Sequence, residues 1–309
     1  MLCDFALGFP AFVECVLDKD RTLRRSFREE TVTDLLMGGL VMAGGRQLIV
    51  DFPDEPITGA DMEWNFVDVH TSTFFRLMLQ AKRIYGSGSI WTRHCYRELL
   101  YKPGRPPEFQ ATTLCNAATA SSVATYPFYI FYNSRYTCDL ARKMGNKTIS
   151  GVNIADGYAI ENLVVSANTR ALRTSNKSLK KVESKLYPLS ALLCPPRIGR
   201  LPPFAFTSGT RPAGIYLSVG QKTVGVQMPP SPEDIRGRII ALRSGSVSEG
   251  VGPEQKFDGL APAVPAVSRD IPADVQAVLS RRWDGGYRAR ELDRWRLTFI
   301  TDSSKFEEG

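Results

Sequence analysis

Two consecutive segments, DMEWNFV at 61–67 and TFFRLMLQAKRIY at 73–85, constrain the fold more than any other feature of the sequence. In the first, Met62, Trp64 and Phe66 alternate with polar residues, which is the period of a strand with one buried face. The second is long and largely apolar, as expected of a buried strand. Because only a short connection separates them, the two segments are predicted to pair as antiparallel neighbours in one sheet.

The periodicity elsewhere predicts an α/β fold. Helices are predicted at 11–25, 26–43, 91–101, 109–122, 155–172, 178–186 and 272–283. Further strands are predicted at 47–52, 126–133, 189–194 and 295–301, with short strands at GIYLSV and RIIALR in a Pro-, Gly- and Ser-rich stretch. We therefore expect a helical lead-in (1–25), a core with a mixed sheet flanked by helices (26–196) and a loop-rich C-terminal extension of unknown role (197–309).

Composition narrows the class of protein further. With 43% hydrophobic and 23% charged residues, the 309-residue chain is neither disordered nor collagen-like. No run approaches the roughly 18 to 20 apolar residues of a membrane span, and the N-terminus makes a poor signal peptide, so we expect no membrane partner. The chain has two histidines and no CxxC pair, which argues against structural zinc and predicts a reduced, cytoplasmic protein. The six cysteines are Cys3, Cys15, Cys95, Cys115, Cys138 and Cys194.

The positive charge is concentrated in one segment. The chain carries 39 Lys and Arg against 32 Asp and Glu, a net charge of +7. Residues 166–201 hold eight cationic side chains and a single acid, Glu183, so this segment carries the whole excess. A localised cationic surface favours a polyanion such as nucleic acid, although a solubilising lysine-rich helix face has the same composition. The nucleic-acid-binding candidates are Lys177, Lys180, Lys181 and Lys185.

Four polar residues lie at the ends of predicted helices and strands, where they could form a functional site. Glu29 opens the first long helix, Asp61 begins one strand, and Gln80 and Lys82 end the next. Residues two apart on a strand share a face, so Gln80 and Lys82 project together, and antiparallel pairing brings Asp61 to the same end of the sheet. Oxygen ligands from Asp61, the Gln80 amide and the Ala81 carbonyl suit Mg²⁺, with Lys82 beside the scissile phosphate.

A helix that carries a Glu, a strand, a strand that opens with G-x-D and a strand that ends with Q-x-K follow one another in the sequence. This order resembles that of the PD-(D/E)xK nucleases, and the Q-x-K motif resembles that of the Mrr-type restriction endonucleases. The matching residues are Phe27, Glu29, Val32, Leu35, Leu36, Gly59, Asp61, Gln80 and Lys82. The stretch TGADMEW…LQAKR is also similar to an uncharacterised bacterial group that we associate with phage defence. The resemblance implies a restriction-endonuclease-like core, Mg²⁺ or Mn²⁺, and hydrolysis of a phosphodiester bond. It implies that Asp61 is the principal metal ligand, Glu29 a further ligand, Gln80 the replacement for the usual acid, and Lys82 the catalytic lysine.

Three neighbouring residues have competing roles. Glu29 fits a capping box with Ser26, yet on a helical wheel it borders the apolar face, whereas Glu30 points to water. We favour Glu29 over Glu30 as the site residue. Glu63 is expected to support the site from outside the ligands or to form a salt bridge with Lys82 or Arg83. For Arg83 we favour a surface or pairing role over a contact with phosphate.

The leading interpretation is a divalent-metal-dependent endonuclease acting on DNA in bacterial anti-phage defence. Two alternatives stay open: a catalytically silent nucleic-acid-binding or scaffolding module with a nuclease fold, and an RNA nuclease. A homodimer and a partner protein of a defence system are both compatible with the sequence. The aromatic strand at 126–133 is interpreted as core, although its rings could stack on bases.

Overall fold

The computed structural model describes residues 2–19, 27–51, 59–86, 93–102, 108–195, 214–219, 222–227, 229–244, 261–281 and 295–306. Its helices are α1 (Leu2–Lys19), α2 (Glu29–Gly44), α3 (Gln110–Ala120), α4 (Arg135–Lys143), α5 (Gly157–Val165), α6 (Arg170–Asn176), α7 (Leu179–Val182), α8 (Ser190–Leu193), α9 (Pro232–Ser244) and α10 (Ala273–Arg281). Its strands are β1 (Leu48–Asp51), β2 (Met62–Asp68), β3 (Thr73–Arg83), β4 (Thr125–Tyr132), β5 (Val152–Asp156), β6 (Tyr187–Pro188), β7 (Gly214–Val219), β8 (Lys222–Gln227) and β9 (Trp295–Thr301).

Seven of these strands form one mixed sheet in the order β1-β9-β2-β3-β4-β5-β6. β2 and β3 pair antiparallel, with Met62 opposite Leu79, as the two constraining segments predict. On its other edge, β3 pairs parallel with β4. A separate two-stranded sheet is formed by β7 and β8. The expected α/β class, a mixed sheet flanked by helices, is confirmed.

Helices cover both faces of the large sheet. On one face, Trp64 and Leu79 belong to a buried cluster that includes residues of α1, α2 and α9. On the other face, Met78, Tyr129 and Phe131 pack with residues of α3, α5 and α7. Because β3 is buried on both faces, any polar side chain that it carries must find a partner inside the protein.

The last strand of the chain lies inside the sheet. β9 pairs parallel with β2 and antiparallel with β1, and its Phe299 ring stacks on Phe66 with centroids 4.6 Å apart. Such a ring pair contributes about 0.5–1.5 kcal/mol beyond the burial of its area. Our expectation placed 197–309 in an extension of the core, whereas β9 of that region completes the core sheet.

Several local predictions were wrong for physical reasons. Residues 189–194, expected as a strand, contain helix α8, and RIIALR belongs to α9. In α9, Ile235, Ile239 and Leu242 are buried at helical spacing, a pattern that the short apolar run conceals. β5 was not predicted, and the helix predicted at 155–172 overlaps its last two residues, because Asp156 both ends this strand and caps α5, accepting a hydrogen bond from the Ala159 N–H at 3.0 Å.

A disulfide joins Cys3 in α1 to Cys194, which follows α8. The expectation of a reduced chain is therefore wrong in this structure, because scattered cysteines give no sign of which pair meets in space. None of the described helices is long and apolar enough to cross a membrane.

Candidate functional site

The candidate site lies where β2 begins and β3 ends, and Gly59 shapes the approach to it. Gly59 has a φ of +74°, a conformation that L side chains rarely adopt. A Cβ atom there would lie 3.1 Å from both the Gln110 carbonyl oxygen and the Leu114 nitrogen of α3. The chain therefore passes against α3 before Asp61, whose N–H donates to the Leu79 carbonyl at 2.8 Å. This contact fixes Asp61 beside the end of β3.

Asp61, Gln80 and Ala81 converge on one point. The Asp61 carboxylate accepts hydrogen bonds from the Ala81 N–H at 2.8 Å and from the Gln80 amide nitrogen. The same amide nitrogen donates to the Ala81 carbonyl at 3.2 Å. It thus bonds at once to two oxygens that the sequence analysis proposes as metal ligands, those of the Asp61 carboxylate and the Ala81 carbonyl.

The oxygen of the Gln80 amide is buried and has no hydrogen-bond partner among the described residues. A buried acceptor without a partner costs about 1–3 kcal/mol. The Asp61 and Glu29 carboxylates, the Ala81 carbonyl and the Gln80 amide oxygen are hard donors of the type that Mg²⁺ and Mn²⁺ prefer, and the amide must turn over so that its oxygen replaces its nitrogen beside Asp61 and Ala81. The described residues contain no group of three or more His, Cys, Asp or Glu placed to hold a metal, and the set here has two acids. The residues present therefore fit a divalent cation held by mixed oxygen ligands.

Glu29 reaches the site from the first turn of α2. Its carboxylate accepts a hydrogen bond from the Arg83 N–H at 2.8 Å and lies 3.5 Å from the Lys82 ammonium. Glu30, the alternative, is exposed. α2 begins at Glu29 with Arg28 at the cap position, and Ser26 of the predicted capping box lies outside the described residues. Glu29 is thus bound to β3 through its side chain.

Burial changes the acidity of Glu29. It raises the pKa of this carboxyl to about 7, the Lys82 ammonium acts in the opposite direction, and the charge of Asp61 adds to the rise. Lys82 itself is almost completely buried, with 3% of its side chain exposed. The site therefore holds an ammonium in a low-dielectric setting, beside a carboxyl that titrates near neutral pH.

Glu63 does not serve this site as predicted. Its carboxylate pairs with the Arg296 guanidinium at 3.0 Å and lies 3.8 Å from that of Arg76, instead of contacting Lys82 or Arg83. The parallel pairing of β2 and β9 places Glu63 directly beside Arg296, 233 residues later in the chain. A partner so distant leaves no signal in the local pattern.

Arg83 has a structural role. Its guanidinium donates to the Phe27 carbonyl, just before α2, and lies over the Tyr85 ring at 5.2 Å. Arg97, which is exposed, lies over the same ring at 4.7 Å. Arg83 therefore binds the start of α2 to the end of β3, which holds Glu29 near Lys82.

Sequence reasoning missed Tyr129. The parallel register of β3 and β4 places it opposite Gln80, and its hydroxyl is buried without a hydrogen-bond partner among the described residues. Burial raises the pKa of Tyr129, and interactions with Cys115, Asp61, Glu161 and Glu29 raise it further. The available signal was the residue type, because a buried tyrosine brings a hydroxyl that a phenylalanine would not.

The predicted basic segment lies near the same end of the sheet. Lys180 and Lys181 of α7 are exposed, whereas Lys177 and Lys185 are half-buried. Two successive backbone bridges join Tyr85, just past β3, to Cys95 and then to Ser178. At the usual strand spacing, these bridges place Ser178 about 10 Å from Tyr85. Arg197 and Arg200 of this segment lie outside the described residues.

Comparisons with known proteins identify a family. No curated protein and no solved structure matches the chain. The sequence pattern of a family of unknown function, DUF6615, matches residues 2–305. Because the match spans nearly the whole chain, the protein belongs to the DUF6615 family.

Proposed function

We propose that this protein is a divalent-metal-dependent endonuclease that hydrolyses phosphodiester bonds in DNA. The observation that carries the proposal is the convergence of Asp61, Gln80 and Ala81 beside the pair that Glu29 forms with the buried Lys82. These residues come from α2, from the position just before β2, and from β3, in the order expected from the resemblance to PD-(D/E)xK nucleases.

Each residue has a defined task in this proposal. Asp61, Glu29, the Gln80 amide oxygen and the Ala81 carbonyl would hold Mg²⁺ or Mn²⁺. When bound, such an ion polarises a phosphate and lowers the pKa of water. The Lys82 ammonium stabilises the negative charge that develops on the phosphate, and burial strengthens this interaction because water does not screen it. Glu29 keeps Lys82 in position across the 3.5 Å contact.

The basic segment supports nucleic acid as the substrate. Lys180 and Lys181 are exposed on α7, near the end of the sheet that carries the site. Cations there would bind the phosphate backbone on either side of the cleaved bond. A homodimer would present two such sites to the two strands of a duplex, and a defence-system partner would supply target recognition.

The proposal is tested by cleavage of supercoiled plasmid in Mg²⁺, with EDTA as the metal-free control. We expect nicking by the wild type, and losses of about 100-fold or more in Asp61→Ala and Lys82→Ala, as for removal of a charge-stabilising group. The matched control is Arg269→Ala, because Arg269 is exposed and follows Ser268, which bridges Phe74 at the opposite end of β3. Equal cleavage by the wild type and both site variants would overturn the proposal.

The same assay separates the alternatives. Single-stranded RNA replaces the plasmid in a parallel reaction, and cleavage of RNA alone would identify an RNA nuclease. Metal-independent DNA binding without cleavage of either polymer would identify a silent binding module.

The proposed biological setting is anti-phage defence in the bacterial cytoplasm, and it rests on the resemblance alone. The Cys3–Cys194 disulfide weighs against a cytoplasmic setting, since that compartment keeps thiols reduced. Phage plating on cells that express the wild type or Lys82→Ala tests the role. Equal plating efficiency on the two strains would contradict it.

A further inference from the structure

The tyrosines of β4 differ in whether their hydroxyls have a hydrogen-bond partner. The Tyr126 hydroxyl donates to the Asp156 carboxylate, and the Tyr132 hydroxyl bonds to the Thr33 hydroxyl at 3.0 Å. The Tyr129 hydroxyl is as deeply buried and has no hydrogen-bond partner among the described residues. Buried hydroxyls nearly always have a partner, so this exception calls for an explanation.

The neighbour of Tyr129 on β3 shows the same deficiency. Gln80 lies directly opposite Tyr129 in the parallel register, so the two side chains share one face of the sheet. The Gln80 amide oxygen also lacks a partner within the described part of the chain. A donor and an acceptor on adjacent strands are thus both unsatisfied, beside the point where Asp61 and Ala81 converge.

We propose that Tyr129 is a positioning residue of the metal site, whose hydroxyl donates a hydrogen bond to the hydration shell of the divalent cation. This inference rests on the proposed function, because it takes the Asp61–Gln80–Ala81 cluster to hold that cation. A cation with its water would satisfy both groups together: with the amide turned so that its oxygen faces Asp61 and Ala81, that oxygen binds the ion, and the phenol donates to the water. Hydrogen-bonding groups outside the direct ligands contribute about 10- to 100-fold to metal affinity or activity.

The test measures binding of Mn²⁺ alone, by calorimetry, to the full-length wild type and to Tyr129→Phe. We expect the variant to bind Mn²⁺ about tenfold more weakly or worse. The matched control is Tyr132→Phe, which removes a hydroxyl three residues further along β4 that bonds Thr33 on the opposite face of the sheet. It is expected to keep the wild-type affinity.

Thermal unfolding without metal provides the second readout, because the two variants should differ in how their melting temperatures compare with that of the wild type. Tyr129→Phe removes an unsatisfied hydroxyl and should melt at or above the wild-type temperature, whereas Tyr132→Phe leaves Thr33 without its partner and should melt lower. A lower melting temperature of Tyr129→Phe with unchanged Mn²⁺ affinity would assign the hydroxyl to the fold and overturn the inference.

Failure of the inference and failure of the proposed function give different results. If the wild type binds Mn²⁺ and nicks DNA while Tyr129→Phe binds Mn²⁺ equally well, only the inference falls. If the wild type binds no Mn²⁺, both fall. If the wild type binds Mn²⁺ without cleaving nucleic acid, the nuclease proposal falls, and the relative affinity of Tyr129→Phe still decides the role of the hydroxyl.

Discussion

At the scale of single residues, Glu29 is the group whose ionisation depends most clearly on its place in the fold. Its pKa rises from an ordinary value of 4.5 to about 7, chiefly through burial. Below pH 4.5 the carboxyl is protonated in both the folded and the unfolded chain. Between pH 4.5 and 7 the unfolded chain loses this proton first, so the free energy of unfolding falls as the pH rises through that window.

Replacement of Glu29 by Gln should remove this dependence. At about 1.4 kcal/mol per pKa unit, the wild type should lose about 3 kcal/mol relative to Glu29→Gln between pH 4.5 and 7.5. Urea unfolding at a series of pH values measures the difference. Glu30→Gln, which alters an exposed carboxyl, is expected to follow the wild-type curve. A Glu29→Gln curve parallel to that of the wild type would show that the carboxyl ionises normally.

Residue spacing predicted the part of the site that lies on neighbouring segments. Gln80 and Lys82 share a face because side chains alternate along a strand, and Asp61 joins them because a short turn connects β2 to β3. Tyr129 was not predicted, since its position depends on the parallel register of β3 and β4, which no local pattern encodes. The partner of Glu63 was missed for the same reason.

At the scale of elements, β9 is bound to the sheet by buried charges as well as by backbone pairing. Arg296 bonds Glu63 of β2 at 3.0 Å and Asp274 of α10 at 2.8 Å. Both Glu63 and Arg296 are buried, and removal of Arg296 would leave two acids, Glu63 and Asp274, to share the Arg76 guanidinium, so that one negative charge of the group is uncompensated. This group therefore connects β2, β9 and α10.

Arg296→Met should consequently destabilise the protein by about 3 kcal/mol. Urea unfolding provides the measurement, and Arg170→Met, which alters an exposed arginine of α6, should change stability by less than about 0.5 kcal/mol. The double variant Glu63→Met/Arg296→Met should recover part of the loss, because neither charge is left unpaired. A cost no larger than that of the Arg170 control would show that the pair contributes little to stability.

The length of an apolar pattern decided which elements could be predicted. β2, β3 and β4 have long, clear patterns and were identified within one or two residues. The short apolar runs in α8 and α9 were taken for strands, because four to six apolar residues fit either structure. Only the packing of α9 on the sheet, through Ile235 and Ile239, shows which of the two forms.

At the scale of the whole molecule, charge is distributed unevenly, and the basic segment lies toward the end of the sheet that carries the site. Lys180 and Lys181 are exposed there, and the charge of Lys180 also acts on the Glu183 carboxyl of the same segment. If they bind phosphates, each should release about one counterion when nucleic acid binds. The salt dependence of binding therefore reports directly on these two residues.

Lys180→Ala/Lys181→Ala should weaken binding to duplex DNA and lower the slope of log affinity against log salt by about 1.8. Fluorescence anisotropy in EDTA measures the slope without cleavage. Arg269→Ala, at the far end of β3, should leave the slope unchanged. An unchanged slope in the double variant would identify the segment as a solvated helix face.

The class of the fold could be predicted because local periodicity decides between helix and strand, whereas the order of strands could not. β9 lies next to β2 although more than 200 residues separate Asp68 from Trp295. Such a pairing is set by the fit of Leu297 and Phe299 against the core of the whole protein.

The position of β9 has a consequence for how the protein is made. Thr301 follows Lys82 by 219 residues, so a ribosome adding about 5–20 residues per second needs roughly 10 to 45 s to deliver the last strand after the site residues have been synthesised. Throughout that interval one edge of β2 has no neighbour. A nascent chain, or one cut short by a premature stop codon, therefore contains Glu29, Asp61 and Lys82 without the completed sheet that holds them together.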